Sequence, residues 1–207
     1  MDRTKTIALI LLAVLAATTG ASTAQTLAAL PTPSPAALTL AEARPLPAWA
    51  AFCQRYAGEC AIDVNEPNRI ALTPALWTTV VSVNRRVNKS LRAVTDQEHW
   101  GVPDRWDLAE DGSGDCEDYQ LLKRKLLAEA GLPRRAMRMT VVIDEKGEGH
   151  AVLTLVTDRG DFILDNKTSE VLAWYRTGYV FIKRESADTV AWVSLGGVTS
   201  PVTTANR

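Results

Sequence analysis

The feature that most limits how this chain can fold is a change of hydrophobic period at Pro133. Before it, apolar residues recur at helical spacing. Trp77, Val80, Val81, Val87 and Leu91 make one stripe, and Leu122, Leu126 and Ala130 carry another that Gly131 and Pro133 stop. After it the period drops to two. Segments 136–143, 150–156 and 161–164 read as strands, with further strand candidates at 178–183 and 189–195. Thr73-Pro74 is a strong helix start, threonine as N-cap and proline at the first helical position, and the helix is expected to run to about Ala93. A shorter helix, Pro47 to Tyr56, would carry Trp49, Phe52 and Cys53 on one side, and 57–72 reads as a loop. Helices first and an antiparallel meander afterwards is an α+β layout, N-terminal helices packed on an antiparallel sheet.

At 207 residues the chain suits one domain with a real core. Its net charge is −1 and its basic residues are scattered, so nothing argues for nucleic acid. Arg3 and Lys5, the apolar run Ile7 to Ala17, and Ser22-Thr23-Ala24 read as a signal peptide over 1–24. The apolar run is too short for a comfortable membrane span, though an uncleaved anchor is the rival reading. Residues 25–46 read as a linker that orders near its end, 47–195 as the folded domain, and 196–207 as a flexible tail. Export places the folded part in a periplasm or the extracellular space.

Export also gives the three cysteines meaning. In an oxidising compartment Cys53 and Cys60 are close enough in sequence to pair, leaving Cys116 over. Three free buried cysteines are the alternative, and no C-x-x-C pair suggests a thiolate metal site. A leftover thiol in an exported chain is either an intermolecular partner or reactive.

Cys116 stands in Gly114-Asp115-Cys116-Glu117-Asp118-Tyr119, after a glycine-bounded loop and before the second helical stripe. Asp115 is placed as N-cap and Asp118 in the capping-box position. Cys116 then falls in the first helical turn, where free N–H groups and the helix dipole favour a thiolate. The three acids oppose that charge, so a reactive Cys116 needs a cationic partner or something that neutralises the acids. The bland alternative is a buried core thiol beside ordinary capping acids.

The chain has two histidines, His99 and His150. His150 opens a strand after Gly147-Glu148-Gly149, and Asp165 ends the next one. A two- or four-residue loop around 158–160 puts both on one face of the hairpin, a rung or two apart, so that contact calls for a bulge at Gly160 or a tightened turn. A strand-end structural histidine and a turn-starting aspartate are the plainer readings. His99 reads as structural or surface, and Asp111, Glu145 and Glu148 as solvated loop acids. Asn84 and Asn88 fall within the apolar stripe and must find partners. They either tie loops down through backbone carbonyls or line the base of the site.

Asp104-x-Trp106, the Gly114–Tyr119 string, Lys123, Gly149-His150-Ala151-Val152-Leu153 and Leu164-Asp165-Asn166 together resemble the bacterial transglutaminase-like cysteine proteinases, from about Trp49 to Ile182. Cys53 and Cys60 also look like that family's short N-terminal cysteine loop. The resemblance implies a papain-like, transglutaminase-like fold and an endopeptidase with a Cys-His-Asp triad. Cys116 would be the nucleophile, His150 the base, Asp165 the group orienting it. By resemblance to the family's periplasmic members, it implies Ca2+ on Asp115, Glu117 and Asp118, a surface-adhesin substrate and an inner-membrane regulatory protein as partner. The oxyanion would be held by the Cys116 N–H and a second donor, with Trp100, Trp106 and the Asn84 side chain as candidates. Transamidation or deamidation through the same thioester is a second reading, and a non-catalytic binding module a third.

Overall fold

Local signals decide where most elements begin. In a computed structural model describing residues 29–197, the chain forms β1 (Glu42–Ala43), α1 (Pro47–Arg55), α2 (Ala57–Cys60) and α3 (Pro74–Ser90). It continues through β2 (Arg92–Ala93), α4 (Asp96–His99), β3 (Ser113–Gly114) and α5 (Cys116–Glu129). The strands β4 (Met137–Ile143), β5 (Gly149–Thr157), β6 (Gly160–Leu164), β7 (Leu172–Ala173), β8 (Val180–Glu185) and β9 (Trp192–Ser194) complete it. The expected signal segment 1–24 and the tail beyond 197 lie outside the described residues, among which no helix is long and apolar enough to cross a membrane.

Thr73 caps α3 as its sequence predicts, its side chain accepting from the Leu76 N–H, with Pro74 at the first position. The helix ends three residues before the expected Ala93. There the backbone turns to another partner: Arg92 N–H donates to Gly112 O (2.9 Å) and Val94 N–H to Gly114 O (3.1 Å). That pairing makes β2 and β3 a small parallel sheet and draws the end of α3 to the residues just before Cys116. The loop expected at 57–72 contains α2, and the loop after Val94 contains α4, one helical turn closed by a Thr95–Glu98 capping box.

The sheet runs β1-β9-β8-β4-β5-β6-β7. It is antiparallel throughout but not a simple meander: from β7 the chain crosses to the far side of β4, where β8 pairs with a register shift at Val141/Val142. Residues 34–41 run along the sheet before reaching β1. Ala37 N–H donates to Asp161 Oδ2 (3.1 Å), and Ser34 packs so closely on Gly160 (φ +103°) that a Cβ there would sit 2.4 Å from Ser34 O.

One face of the sheet meets the helices. Met139, Val141, Leu153, Leu155, Phe162 and Leu164 pack against Trp77, Val80, Val87, Leu121 and Leu127. At about 25 cal/mol per Å2 of apolar surface removed from water, this layer is the main source of stability. The buried Glu185 carboxylate joins four elements. It accepts from Trp49 Nε1 (2.6 Å), Arg124 (2.7 Å) and Met139 N–H (2.9 Å), so its charge is paired and hydrogen-bonded rather than orphaned.

Cys53 and Cys60 form a disulfide, Cα–Cα 5.5 Å, leaving Cys116 as the free thiol among the described residues. The closed loop is short, so the bond contributes about 2 kcal/mol by chain entropy. Replacing both cysteines by serine should therefore lower stability in urea by about 2 kcal/mol while leaving the rate at which Cys116 is alkylated unchanged. A matching loss of Cys116 reactivity would show that the loop shapes the site as well.

Candidate active site

The thiol owes its position to the start of α5. Asp115 is the N-cap, and Asp118 reaches back to accept from its N–H (3.4 Å), the capping box the sequence predicts. Gly114 makes this possible, since a Cβ there would lie 2.5 Å from Asp118 Oδ2. Cys116 is thereby fixed in the first turn and is fully buried. Its sulfur accepts from the Ala151 N–H (3.4 Å) and donates to Glu117 Oε2 (3.1 Å).

His150 and Asp165 do meet. Nε2 of His150 donates to Asp165 Oδ1 at 2.9 Å, and both side chains are buried. The contact is made without the bulge or tightened turn that the sequence suggests. Thr157 pairs with Gly160 across a two-residue loop and Leu153 with Leu164, which continues to place Asp165 opposite Val152. His150 and Asp165 are therefore diagonal neighbours on one face, within reach of a ring and a carboxylate. With Nε2 committed, Nδ1 has no hydrogen-bond partner by geometry among the described residues, and besides the Tyr179 ring the imidazole interacts with the Cys116 side chain.

Asp165 is held from several directions that sequence reasoning missed. Tyr179 O–H donates to Oδ2 (2.7 Å) and stands edge-on to the His150 ring, while Lys167 N–H donates to Oδ1 (3.0 Å). Lys167 also pairs with buried Asp144, which ties the β4–β5 turn before His150 to the loop after Asp165. The two stripe asparagines serve the same loop. Asn88 Nδ2 donates to Asp165 O and Thr168 O (both 2.8 Å), and Asn84 Nδ2 to Thr168 O (3.3 Å). They thus tie a loop down, and the loop is the one that carries Asp165.

These bonds set the charges. Burial works against a charged His150 ring, but the bonds to Asp165 and Cys116 outweigh it and raise its pKa to about 9. Burial likewise works against ionised Asp165, yet its bond to His150 and the donors around it lower its pKa.

The acids beside the thiol are in the opposite condition. Asp115, Glu117 and Asp118 are buried, and α4 brings Asp96 to them. One oxygen each of Asp96, Asp115 and Asp118 lies within 4.8 Å of the others, as do one each of Asp96, Asp104 and Glu117. Burial, reinforced by mutual repulsion, raises Asp115 to about 7 and pushes Glu117 and Asp118 well up. Some oxygens accept backbone bonds: Asp118 from Asp107 N–H (2.6 Å), Asp115 from Asp96 N–H (3.3 Å), Asp96 from Arg105 N–H. Among the described residues, Asp96 Oδ1, Asp115 Oδ1 and Glu117 Oε1 are buried with no donor. All-oxygen donors of concentrated negative charge suit a hard cation such as Ca2+. Asp96 and Asp104 join the three acids singled out from sequence. Their separation along the chain hid them, and the Thr95 cap that starts α4 was the available signal.

Two candidate oxyanion donors are spent elsewhere, Asn84 on Thr168 and Trp106 Nε1 on Asp104 Oδ1 (3.1 Å). His99 lies outside the site, paired with Asp111 (2.7 Å) and stacked on Trp100. Asp111 is thus a partner as well as a half-exposed loop acid.

The family model for bacterial transglutaminase-like cysteine proteinase matches residues 39–200. No curated protein matches the sequence. Among solved structures, Legionella pneumophila LapG is 21% identical, with 61% of this chain and 80% of that chain covered and a TM-score of 0.47. Calcium-bound Legionella pneumophila LapG is 20% identical, with 74% and 92% covered and a TM-score of 0.46. The EGTA-treated form is 19% identical, with 79% and 92% covered and a TM-score of 0.47.

The His150–Asp165 bond has a titration signature. A raised folded-state pKa stabilises the fold fully below the ordinary value near 6.5, and that contribution is lost as pH rises through about 9. The His150 ring followed by NMR should titrate near pH 9 in the wild type and well below that in Asp165→Asn. An unchanged midpoint in the variant would show that the carboxylate does not hold the imidazolium.

Proposed function

The chain belongs to the bacterial transglutaminase-like cysteine proteinases, and from that membership we propose that it is an exported endopeptidase whose reacting groups are Cys116, His150 and Asp165. The observation that carries the reading is the division of the His150 ring. Nε2 is fixed on Asp165, leaving Nδ1 for the sulfur at the start of α5. A nucleophile beside a base that a third group orients is the arrangement thiol acyl transfer requires.

The chemistry follows from that division. Cys116 gives its proton to His150 Nδ1, and the resulting imidazolium faces Asp165, whose lowered pKa keeps it anionic. The thiolate attacks the peptide carbonyl carbon, and the Cys116 N–H, at the first position of α5, donates to the oxyanion. When the C–N bond breaks, His150 protonates the leaving amine. It then takes a proton from water as water attacks the thioester, and the C–S bond breaks to release the acid and restore the thiol.

The acids around the thiol complete the proposal. Asp115, Glu117 and Asp118, with Asp96 and Asp104, would hold a calcium ion. Its charge would offset the carboxylates that otherwise oppose a thiolate beside them. The three donorless oxygens support this reading. The substrate proposed is an exported or surface protein, an adhesin by family resemblance, with an inner-membrane protein as regulator.

Wild type and Cys116→Ala, each incubated with periplasmic and surface proteins with and without a chelator, test both halves. Fragments should appear with the wild type and calcium alone. Identical fragments from Cys116→Ala would end the triad reading, and undiminished wild-type cleavage in chelator would end the calcium reading. Independently of activity, calcium at about a hundred times its Kd should stabilise the wild type by about 2.7 kcal/mol. Asp96→Asn should largely lose that gain, a comparison that thermal melts resolve.

A further inference from the structure

Lys123 is fully buried, two turns along α5 from Cys116, and the mechanism above does not use it. Its Nζ donates to Gln120 Oε1 (3.1 Å) and lies 5.9 Å from the centre of the Tyr119 ring. No carboxylate among the described residues stands within ion-pair distance of it, and the charge that supports its ammonium is that of Asp165. Burial lowers its pKa to about 7. A buried ammonium with so little compensation costs stability, and a methionine would fill similar space without that cost. Packing therefore does not explain a lysine here.

Its hydrogen bond does. Gln120 is also fully buried and stands one turn after Cys116 on the same helix. Its Nε2 donates to Asn166 Oδ1 (3.4 Å), the residue that follows Asp165. A glutamine amide can present either end. With Lys123 donating to Oε1, the NH2 end must face Asn166, so the lysine selects the orientation that bridges to the loop. The loop's other tethers come from α3, through Asn84 and Asn88, and from the β4–β5 turn, through Asp144. The bond through Gln120 comes instead from the helix that carries the thiol.

We propose that Lys123 is a positioning residue, which through Gln120 and Asn166 locks the helix bearing Cys116 to the loop bearing Asp165. This rests on the reading of Cys116, His150 and Asp165 as the reacting set. Lys123 makes no hydrogen bond or ion pair with the reacting atoms, and beyond a through-space attraction to Asp165 it acts by fixing how two elements meet. Small displacements between such groups cost orders of magnitude in rate.

The test is a double-mutant cycle read by the iodoacetamide alkylation rate of folded Cys116 at neutral pH, together with thermal melting. Lys123→Met should slow alkylation by about 10- to 100-fold with a melting temperature equal to or above wild type. Lys123→Gln, whose amide can still donate to Gln120, should recover part of the rate. In an Asp165→Asn background, Lys123→Met should slow alkylation less than twofold further, because the lysine acts through that loop. A wild-type rate in Lys123→Met, an equal slowing in both backgrounds, or a lowered melting temperature or failure to fold in Lys123→Met would each overturn the inference, the last two outcomes marking a merely structural lysine. Asp165→Asn alone alkylating at the wild-type rate is a different result: it would overturn the triad reading beneath.

Discussion

The structure depends on α5 lying against β5. Leu121 and Leu127 commit the helix to the layer that contains Leu153 and Leu155, and Arg124 pins it to Glu185 on β8. With the helix axis fixed, its first turn must arrive at the first residues of β5, and the Ala151 N–H to Cys116 Sγ contact is that arrival. Everything local to the thiol then follows from where a helix starts. Asp115 caps it, Gly114 leaves room for Asp118 to fold back, and Cys116 sits in the first turn, at the positive end of the helix dipole. An apolar packing decision thus places a polar site.

How much of this the sequence discloses depends on the range of each interaction. Thr73-Pro74 and the Asp115–Asp118 box are short-range chemistry, and both elements begin where those residues put them. The common face of His150 and Asp165 follows from the two-residue loop after Thr157, since strand parity across a tight hairpin leaves no freedom. The diagonal contact itself was hidden, because it depends on side-chain reach rather than on register. What the sequence hides altogether is convergence from afar. The end of α3 leaves its helical path because Gly112 and Gly114 offer it carbonyls, and that detour swings α4 and Asp96 onto the acids beside Cys116. The placement of β8 beside β4 rather than β7 is likewise a long-range choice. So is the course of residues 34–41 along the sheet, with a backbone N–H meeting Asp161. Neither leaves a periodic trace in the residues that make it.

Two groups of buried carboxylates flank the thiol, and the protein treats them in opposite ways. Asp165 is surrounded by donors: an imidazole, a phenol and a backbone N–H converge on its two oxygens, and an ammonium lies behind. Its ionised form is therefore favoured in spite of burial, and it can stabilise positive charge on His150. Asp96, Asp115, Glu117 and Asp118 face one another, and burial drives all four toward the protonated form. Cys116 lies on the boundary, bonded to Glu117 on one side and interacting with His150 on the other. On the Asp165 side the negative charge is already balanced by fixed donors, so the carboxylate holds the His150 ring without needing anything from outside. On the Glu117 side the donors are too few for the charge. Arg105 and His99 offset that charge only in part at Asp96, and burial with mutual repulsion keeps the acids toward the protonated form. The same contrast explains why the two sets are built so differently. Residues that must hold one ring in one orientation are tethered from three elements, whereas residues suited to share a cation need only converge.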